Sequence, residues 1–591
     1  MTSGTTQSKQ YGSGADSNIS IDQGADLFVE AMLANDVEYL FINSGTDTFP
    51  IQESLAKYID RGQAVPETIL CLDEKMGMAA AHGYYMVTGK PQVLLVHVDA
   101  GTQAVGGAVH NAQRGRAGIV FCAGRAPYTF EGEMPGGKNM SIHWIQEQID
   151  QGGGVRGFTK WDYEVRRPEN LQQIMQRAFQ VASTEPAGLV YVTLPREVLM
   201  APMETATIPA SARHSKPTTP QADPEALSET ASILAAAERP VIITAQSGRH
   251  EDVVAHMAEL AELIGAPVIT ERVRLSFPST HPLAAPAPLE ADYISNADAV
   301  LVVDSDIPWI PANVRPSPDA AVVWIDQDPV KDSIPLWTFP ADILMEADSS
   351  KAIPALVFEI REQMTATQSQ AAKVRTAKHG DAHGRVSVER LDRAKSLETE
   401  SPILPDWLSY CLGLVMSEDD ILLNETVTNS GSVIANIPRN KPGTMYGSGG
   451  SSLGWALGAA VGAKLAAPNH NVVCAVGDGA FVYGCPTSAI WAAQKYNAPF
   501  LTVIYNNQIH NAPRVSLLGG YPEGVAERTG NFIGMEIFPS PDYATLSESC
   551  GGYGEKVEDP AEVIPALKRA YEAMAKGQPA VLDVRIARPT G

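Results

Sequence analysis

Asn471-Val472-Val473-Cys474-Ala475-Val476-Gly477-Asp478-Gly479, followed after 26 residues by Asn506-Asn507, decides the reading of this chain. The run 471–476 is apolar after its first residue, has the length of a strand and breaks at a glycine. A helical pattern over 486–496 follows, and a second apolar run, 500–505, delivers the asparagine pair. In a parallel sheet, strand–helix–strand places both turns at the same carboxyl edge, where open α/β sheets bind ligands. Glycines let a backbone approach phosphate closely. Asp478 offers a hard carboxylate oxygen and an asparagine a carbonyl oxygen, donors that suit Mg²⁺ shared with phosphate oxygens. A Gly-Asp-Gly alone is only a glycine-rich turn; the two strands and the spacing turn it into a motif.

The same rhythm recurs upstream. A helical pattern over 23–35 leads to strand-like 39–43, and apolar runs follow at 68–71, 93–98, 118–123 and 189–194, with a helical stretch at 74–87. A second set lies at 240–244, 267–270, 299–303 and 321–325, and a third at 420–424, 471–476, 500–505 and 580–586. Short apolar strands alternating with helices imply an α/β protein with three doubly wound parallel-sheet domains, 18–200, 225–360 and 401–591. Residues 1–17, rich in Ser, Gly, Thr and Gln, read as a disordered tail. Residues 201–224 (Pro, Ala, Thr, Ser) and 361–400 (polar, with helical character) read as linkers.

A net charge of −24 argues against nucleic acid or an anionic membrane as a partner, although a small site inside an acidic protein can still be locally basic. No apolar run approaches the roughly 18 residues of a membrane span, and the first 17 residues lack the apolar core of a secretory signal. The cysteines, Cys71, Cys122, Cys411, Cys474, Cys485 and Cys550, form no C-x-x-C pair and read as reduced thiols of a cytoplasmic protein.

The Gly-Asp-Gly to Asn-Asn segment resembles the thiamine-diphosphate motif of the acetolactate synthase and pyruvate decarboxylase superfamily. The run Ser488-Ala489-Ile490-Trp491-Ala492-Ala493-Gln494-Lys495-Tyr496-Asn497 is similar to the benzoylformate decarboxylases. The resemblance covers nearly the whole chain, in the order pyrimidine-binding, central and diphosphate-binding domain, and implies thiamine diphosphate and Mg²⁺ as cofactors. It implies Asp478, Asn507 and the Ile509 carbonyl as metal ligands, with Gly477, Gly479 and Ala480 in the same cofactor-binding turn. The stretch 424–430 resembles the strand end that holds the diphosphate, with Thr426 and Thr428 as hydroxyl donors. Gly449-Gly450-Ser451-Ser452-Leu453 resembles the aminopyrimidine cradle, with Leu453 at the place of the apolar wedge. The stretch 72–84 resembles the glutamate-bearing helix start and gives Glu74 the central role. Carbon C2 of the cofactor is a very weak acid, and the cofactor's own 4′-imino group can take its proton only if N1′ is protonated. A buried glutamate with a raised pKa shares that proton. Asp73 and Glu74 also suit a helix N-terminus on electrostatic grounds alone.

On the substrate side, Asn43-Ser44-Gly45-Thr46 resembles the family's first strand-end loop, and the Thr46 hydroxyl is a candidate holder of a substrate carboxylate. A turn or helix cap, served equally by Asp47, is the plainer role. His97 falls where benzoylformate decarboxylases carry an active-site histidine and would move protons near its ordinary pKa. Gln146-Glu147 resembles the Phe-Gln-Glu stretch of acetolactate synthases, whose glutamine faces the cofactor, and so points to carboligation. His110, His143 and His510 are further candidates, each read first as structural. There are departures: the middle domain offers no convincing match for the second histidine of benzoylformate decarboxylases and no FAD fingerprint, no paired histidines of the pyruvate decarboxylase type occur near residue 110, and 511–539 is Gly/Pro-rich and reads as a mobile substrate cover.

The resemblance implies decarboxylation of a 2-oxo acid and/or carboligation, by a homodimer or homotetramer in which Glu74 and the Gly-Asp-Gly turn of a site come from different subunits. A lyase of a 2-hydroxyketone or 2-hydroxyacyl-CoA is the alternative enzyme. A catalytically silent cofactor-binding protein is the non-enzyme alternative, and the presence of both Glu74 and Asp478 counts against it.

Overall fold

The computed structural model describes residues 16–210, 215–271 and 273–589. Most of the expected tail, residues 1–15, therefore lies outside the described residues, but Ser17 already belongs to a strand. The chain divides into two compact units, one of residues up to 217 with 448–556 and 569–583, the other of 218–447, 557–568 and 584–591.

In the first unit, β1 (Ser17–Ser20) leads into the helix Gly24–Ala34. A six-stranded sheet follows: β2 (Tyr39–Ile42), β3 (Glu67–Leu70), β4 (Gln92–Val96), β5 (Ile119–Arg125), β6 (Trp161–Glu164) and β7 (Leu189–Pro195). Their order is β3-β2-β4-β5-β7-β6, and every pair is parallel. β4 and β7 are buried along their whole length, as a sheet covered on both faces requires. β8 (Thr205–Ile208), inside the stretch read as a linker, returns to pair antiparallel with β1. From β2 the chain steps outward to β3 and then crosses back to β4. The strand order therefore reverses between β2 and β4, which makes the carboxyl ends of these two strands the sheet's ligand crevice.

The second unit carries β9 (Pro240–Thr244), β10 (Val268–Thr270), β11 (Ala299–Val303), β12 (Ala321–Asp326) and β13 (Ile343–Glu346), parallel in the order β10-β9-β11-β12-β13. Its order reverses between β9 and β11, and there the chain fills its own crevice. Arg249 Nη1 lies 2.6 Å from Asp304 Oδ2 with both side chains buried, and Arg249 and His250 both reach Asp348 at 3.4 Å. At the neighbouring strand end, buried Lys331 is paired with Asp326 at 2.6 Å and with Asp306 at 2.9 Å. Residues Ala366–Ser396 form one long helix, opened by a Thr365–Gln368 capping box. β14 (Ile421–Glu425) then pairs in parallel with β15 (Met445–Tyr446).

Back in the first unit, β16 (Val472–Gly477) runs parallel to β17 (Leu501–Asn506), and the order continues through β19 (Ala580–Arg585) to β18 (Tyr553–Val557). The helix Pro486–Lys495 joins β16 to β17, as the spacing predicted. The helix Ala456–Ala466 lies against the helix Glu74–Thr88. A Cβ on Gly83, Gly458 or Gly462 would run into the opposite helix, at Ala459, Met76 and Ala79, or Ala80 respectively. The glycines thus set how closely the two helices approach. Among the described residues, no helix is long and apolar enough to cross a membrane.

Candidate active site

The crevice between β2 and β4 holds the first cluster. His97 follows β4 directly, and its Nδ1 is hydrogen-bonded to an oxygen of Asp47 from the loop after β2. Asp47 is 2% exposed, and its other oxygen accepts the Val98 N–H at 3.2 Å. Two glycines make room for this pair. A Cβ on Gly45 would overlap the His97 ring, and one on Gly124, near the end of β5, would overlap the Asp47 carboxylate. The Asp47 hydrogen bond and charge hold the His97 pKa above 6.5 against the opposing effect of burial. The nearby Gln146 side chain and the Glu74 charge act in the same direction.

Sequence reasoning favoured Thr46 in this loop and gave Asp47 only a capping role. In the structure it is Asp47 that meets His97. Thr46 is exposed, and only its carbonyl is engaged, by Arg196 at 3.2 Å. The residue before the helix Phe49–Asp60 is Thr48, so Asp47 does not cap that helix; it accepts instead from Val98 N, the first amide of the helix Val98–Ala104. Buried Arg196 also donates to the Gly136 and Gly137 carbonyls and to Asn139, and thereby anchors the loop that carries Gln146. His143 belongs to this scaffold, accepting from Asn139 N at 3.1 Å. Glu74 is the first residue of its helix, capped by Asp73, whose side chain accepts from Lys75 N and Met76 N. Its Oε1 lies 3.2 Å from where a Cβ on Gly101 would sit, which makes Gly101 the residue that leaves the carboxylate space. Glu74 is half-buried, less enclosed than the sequence reading expected.

The second cluster stands at the ends of β16 and β17. Asp478 is 3% exposed. Its Oδ2 accepts from Gln508 N at 2.8 Å, which ties the Gly-Asp-Gly turn to the residue after the asparagine pair. Asn507 Oδ1 accepts from Ile509 N at 3.1 Å. Gln508 takes a left-handed φ of 61°. Asn506 does not share the site: its amide donates to Asp583 at 2.7 Å inside the sheet. Burial pushes the Asp478 carboxyl up to about 6, although the Gly479 and Gln508 amides work to lower it. Gly477 faces open space, whereas a Cβ on Gly479 would meet His510 Cε1 at 2.6 Å. His510, read from sequence as structural, therefore lies directly over the turn. Buried Ala480 continues the helix Asp478–Tyr483, and 511–520 within the expected cover is helical.

The Gly449–Leu453 loop is bolted to the segment after β4. Asn111 exchanges hydrogen bonds with Ser452, at 2.8 Å to its carbonyl and 3.0 Å from its amide, and His110 meets Ser451 Oγ at 3.2 Å. Gly449, at φ 74°, packs on the Gly115 backbone, and Leu453 is half-buried. In the second unit, Thr426 follows β14, with its amide and hydroxyl both donating to Asn424 Oδ1. Thr428 is exposed in the short turn Val427–Asn429.

Comparison with known proteins assigns the architecture. Residues 22–153 match the thiamine pyrophosphate enzyme N-terminal TPP binding domain, 227–356 the central domain and 426–584 the C-terminal TPP binding domain. The chain is a thiamine-diphosphate-dependent enzyme. It is 24% identical to a probable acetolactate synthase large subunit of Methanocaldococcus jannaschii, over 95% of this chain and 92% of that one. It is also 24% identical to benzoylformate decarboxylase of Pseudomonas aeruginosa, over 87% and 91%. The solved structure of a thiamine-diphosphate-dependent 4-hydroxybenzoylformate decarboxylase from Rhodococcus jostii superposes with a TM-score of 0.75 at 21% identity, covering 96% of this chain and all of that one.

The residues of this thiamine-diphosphate enzyme fit its cofactor. Asp478, Asn507 and the Ile509 carbonyl present oxygen donors of the hard kind that Mg²⁺ takes beside phosphate oxygens. The burial that raises Asp478 is the condition a cation would relieve. Among the described residues there is no group of three His, Cys, Asp or Glu side chains able to hold an ion, so a cation held at Asp478 would take its other ligands from amide, carbonyl and phosphate oxygens.

Proposed function

We propose that this enzyme decarboxylates a 2-oxo acid, releasing an aldehyde or joining the acyl unit to a second carbonyl compound, with Mg²⁺ anchoring thiamine diphosphate. The observation that carries the reading is the pair of clusters: Glu74 beside a histidine–aspartate pair at one sheet's crevice, and a buried Asp478–Asn507 oxygen set at another sheet's edge. When bound, thiamine diphosphate supplies the cationic thiazolium that takes up the electron pair freed as the carbon–carbon bond breaks.

The chain supplies the rest. Asp478, Asn507 and the Ile509 carbonyl hold the metal; Gly477, Gly479 and Ala480 let the backbone close on the diphosphate, with Thr426 and Thr428 donating to it. Gly449 and Leu453 shape the pyrimidine seat. Glu74 holds the proton at N1′. Thr46 and Gln146 orient the substrate, and His97 moves its proton. The working unit is a homodimer or homotetramer in which each site joins Glu74 of one subunit to Asp478 of another, and the protein acts in the cytoplasm.

The test offers the enzyme, loaded with thiamine diphosphate and Mg²⁺, a panel of 2-oxo acids from pyruvate to benzoylformate, with and without aldehyde acceptors. CO₂ release and products are followed by NMR. We expect cofactor-dependent CO₂ release, with Glu74→Gln lowering kcat by about 10²–10⁴-fold. Cofactor binding without CO₂ from any acid overturns decarboxylation and moves the reading to a lyase of hydroxyketones or acyl-CoAs.

A further inference from the structure

We propose that Asp47 is a positioning residue that holds His97, through Nδ1, as the proton donor for the substrate carbon that has lost CO₂. The inference rests on the decarboxylase reading above and adds to it a residue that the sequence placed in a capping role. Three independent features of the fold converge on the pair. It sits where the strand order reverses, at the carboxyl ends of β2 and β4, the crevice in which such sheets place their ligands. Asp47 is buried, with one oxygen on His97 and the other on the Val98 amide, so the carboxylate cannot swing away from the ring. Gly45 and Gly124 each lack the Cβ that would displace one member of the pair.

A histidine whose Nδ1–H is given to a carboxylate has its tautomer and ring orientation fixed, which leaves Nε2 for chemistry. The groups facing the ring favour the charged form. Asp47 acts from the loop after β2, Glu74 from its helix start and Gln146 from the far loop. Behind Asp47 stand Arg196, and His143, whose own pKa burial and the Arg196 charge hold down. A 2-oxo acid anion that loses CO₂ must gain one proton to leave as an aldehyde. His97 gives that proton from Nε2, stays hydrogen-bonded to Asp47 as the neutral ring, and is recharged from water. A charged His97 thus favours aldehyde release over carboligation.

The sign of the pH dependence follows. With its folded pKa above 6.5, the charged pair is complete below 6.5 and is lost as pH rises through the raised value. The experiment measures the His97 protonation midpoint in the full-length, cofactor-loaded protein by exchange of the histidine C2 proton, read by peptide mass spectrometry. Kcat and KM are measured against pH on the best 2-oxo acid. Asp47→Asn, which keeps the shape and removes the charge, is expected to lower the midpoint by at least tenfold in proton affinity. It should move the alkaline limb of kcat down by the same amount while KM stays within about twofold. Gly124→Ala, which displaces Asp47 from another strand, should do the same. An unchanged midpoint in Asp47→Asn overturns the pairing. A lowered midpoint with an unmoved kcat profile overturns the donor role. A wild type with a raised midpoint but no turnover on any 2-oxo acid defeats the decarboxylase reading itself, and the donor role falls with it.

Discussion

Asp478 shows what a single buried carboxylate contributes before any metal arrives. Its native pKa of about 6 against an ordinary 3.8 means that the metal-free fold is favoured at low pH and loses that contribution as pH rises through about 6. The difference amounts to roughly 3 kcal/mol at neutral pH. Asp478→Asn should therefore stabilise the metal-free protein at pH 7.5 in urea unfolding while weakening Mg²⁺-dependent cofactor binding by at least an order of magnitude. In the wild type, apparent Mg²⁺ affinity should be level above pH 7 and fall about tenfold per pH unit below 6, because the cation must then displace a proton. A titration of cofactor binding by circular dichroism between pH 5 and 7.5 checks this. A flat profile would remove Asp478 from the ligand set. At this same scale the sequence was most and least informative. Asp478 and Asn507 were legible because one strand–helix–strand unit carries both. Asp47 was not, because its partner lies 50 residues away and only the sheet's crossover brings them together.

The helices that hold these residues are fixed by small side chains more than by large ones. Gly83 and Gly462 stand where a methyl group would strike the facing helix's backbone at Ala459 and Ala80, so relief requires the helices to separate. Gly462→Ala should cost about 1–3 kcal/mol or more by overpacking. It should also weaken thiamine diphosphate binding, since Glu74 begins the helix that must shift. Thermal melting and cofactor titration of the variant test both effects, and an unchanged melting temperature would show that the interface yields. The sheets divide in the same way into legible and hidden parts. Central strands such as β5, β7, β11 and β16 are continuous apolar runs and stand out. β6, β13, β15 and β18 lie at sheet edges and were missed. Their sequences, WDYE, ILME, MY and YGEKV, are short, and three of the four are charged, as edge strands that must avoid further pairing tend to be. The second unit's crevice was also hidden, since only the fold brings Arg249, Asp304 and Asp348 together.

For the molecule as a whole, charge and apolar surface act in opposite senses. A net charge of −24 drives copies of the chain apart. Yet the segment that carries Gln146 exposes Phe130, Trp144, Ile145 and Ile149, the last at 98%, and the region after the asparagine pair exposes Tyr521, Ile533 and Phe538. Apolar side chains left in water along the loops that bear the candidate site residues would be covered by a second copy of the chain. An assembly through these side chains would hold by apolar contact while like charges opposed it, so added salt, which screens the repulsion, should leave it intact or tighten it. Sedimentation velocity at micromolar concentration should find dimers or tetramers that persist at 0.5 M NaCl. Ile149→Glu places a further negative charge at the most exposed of these positions and should shift the protein toward monomer. If each site needs Glu74 from one subunit and Asp478 from another, cofactor binding and turnover must then fall in proportion to the oligomer remaining. A monomer of this variant that turned over at the wild-type rate would show that one chain completes the site alone.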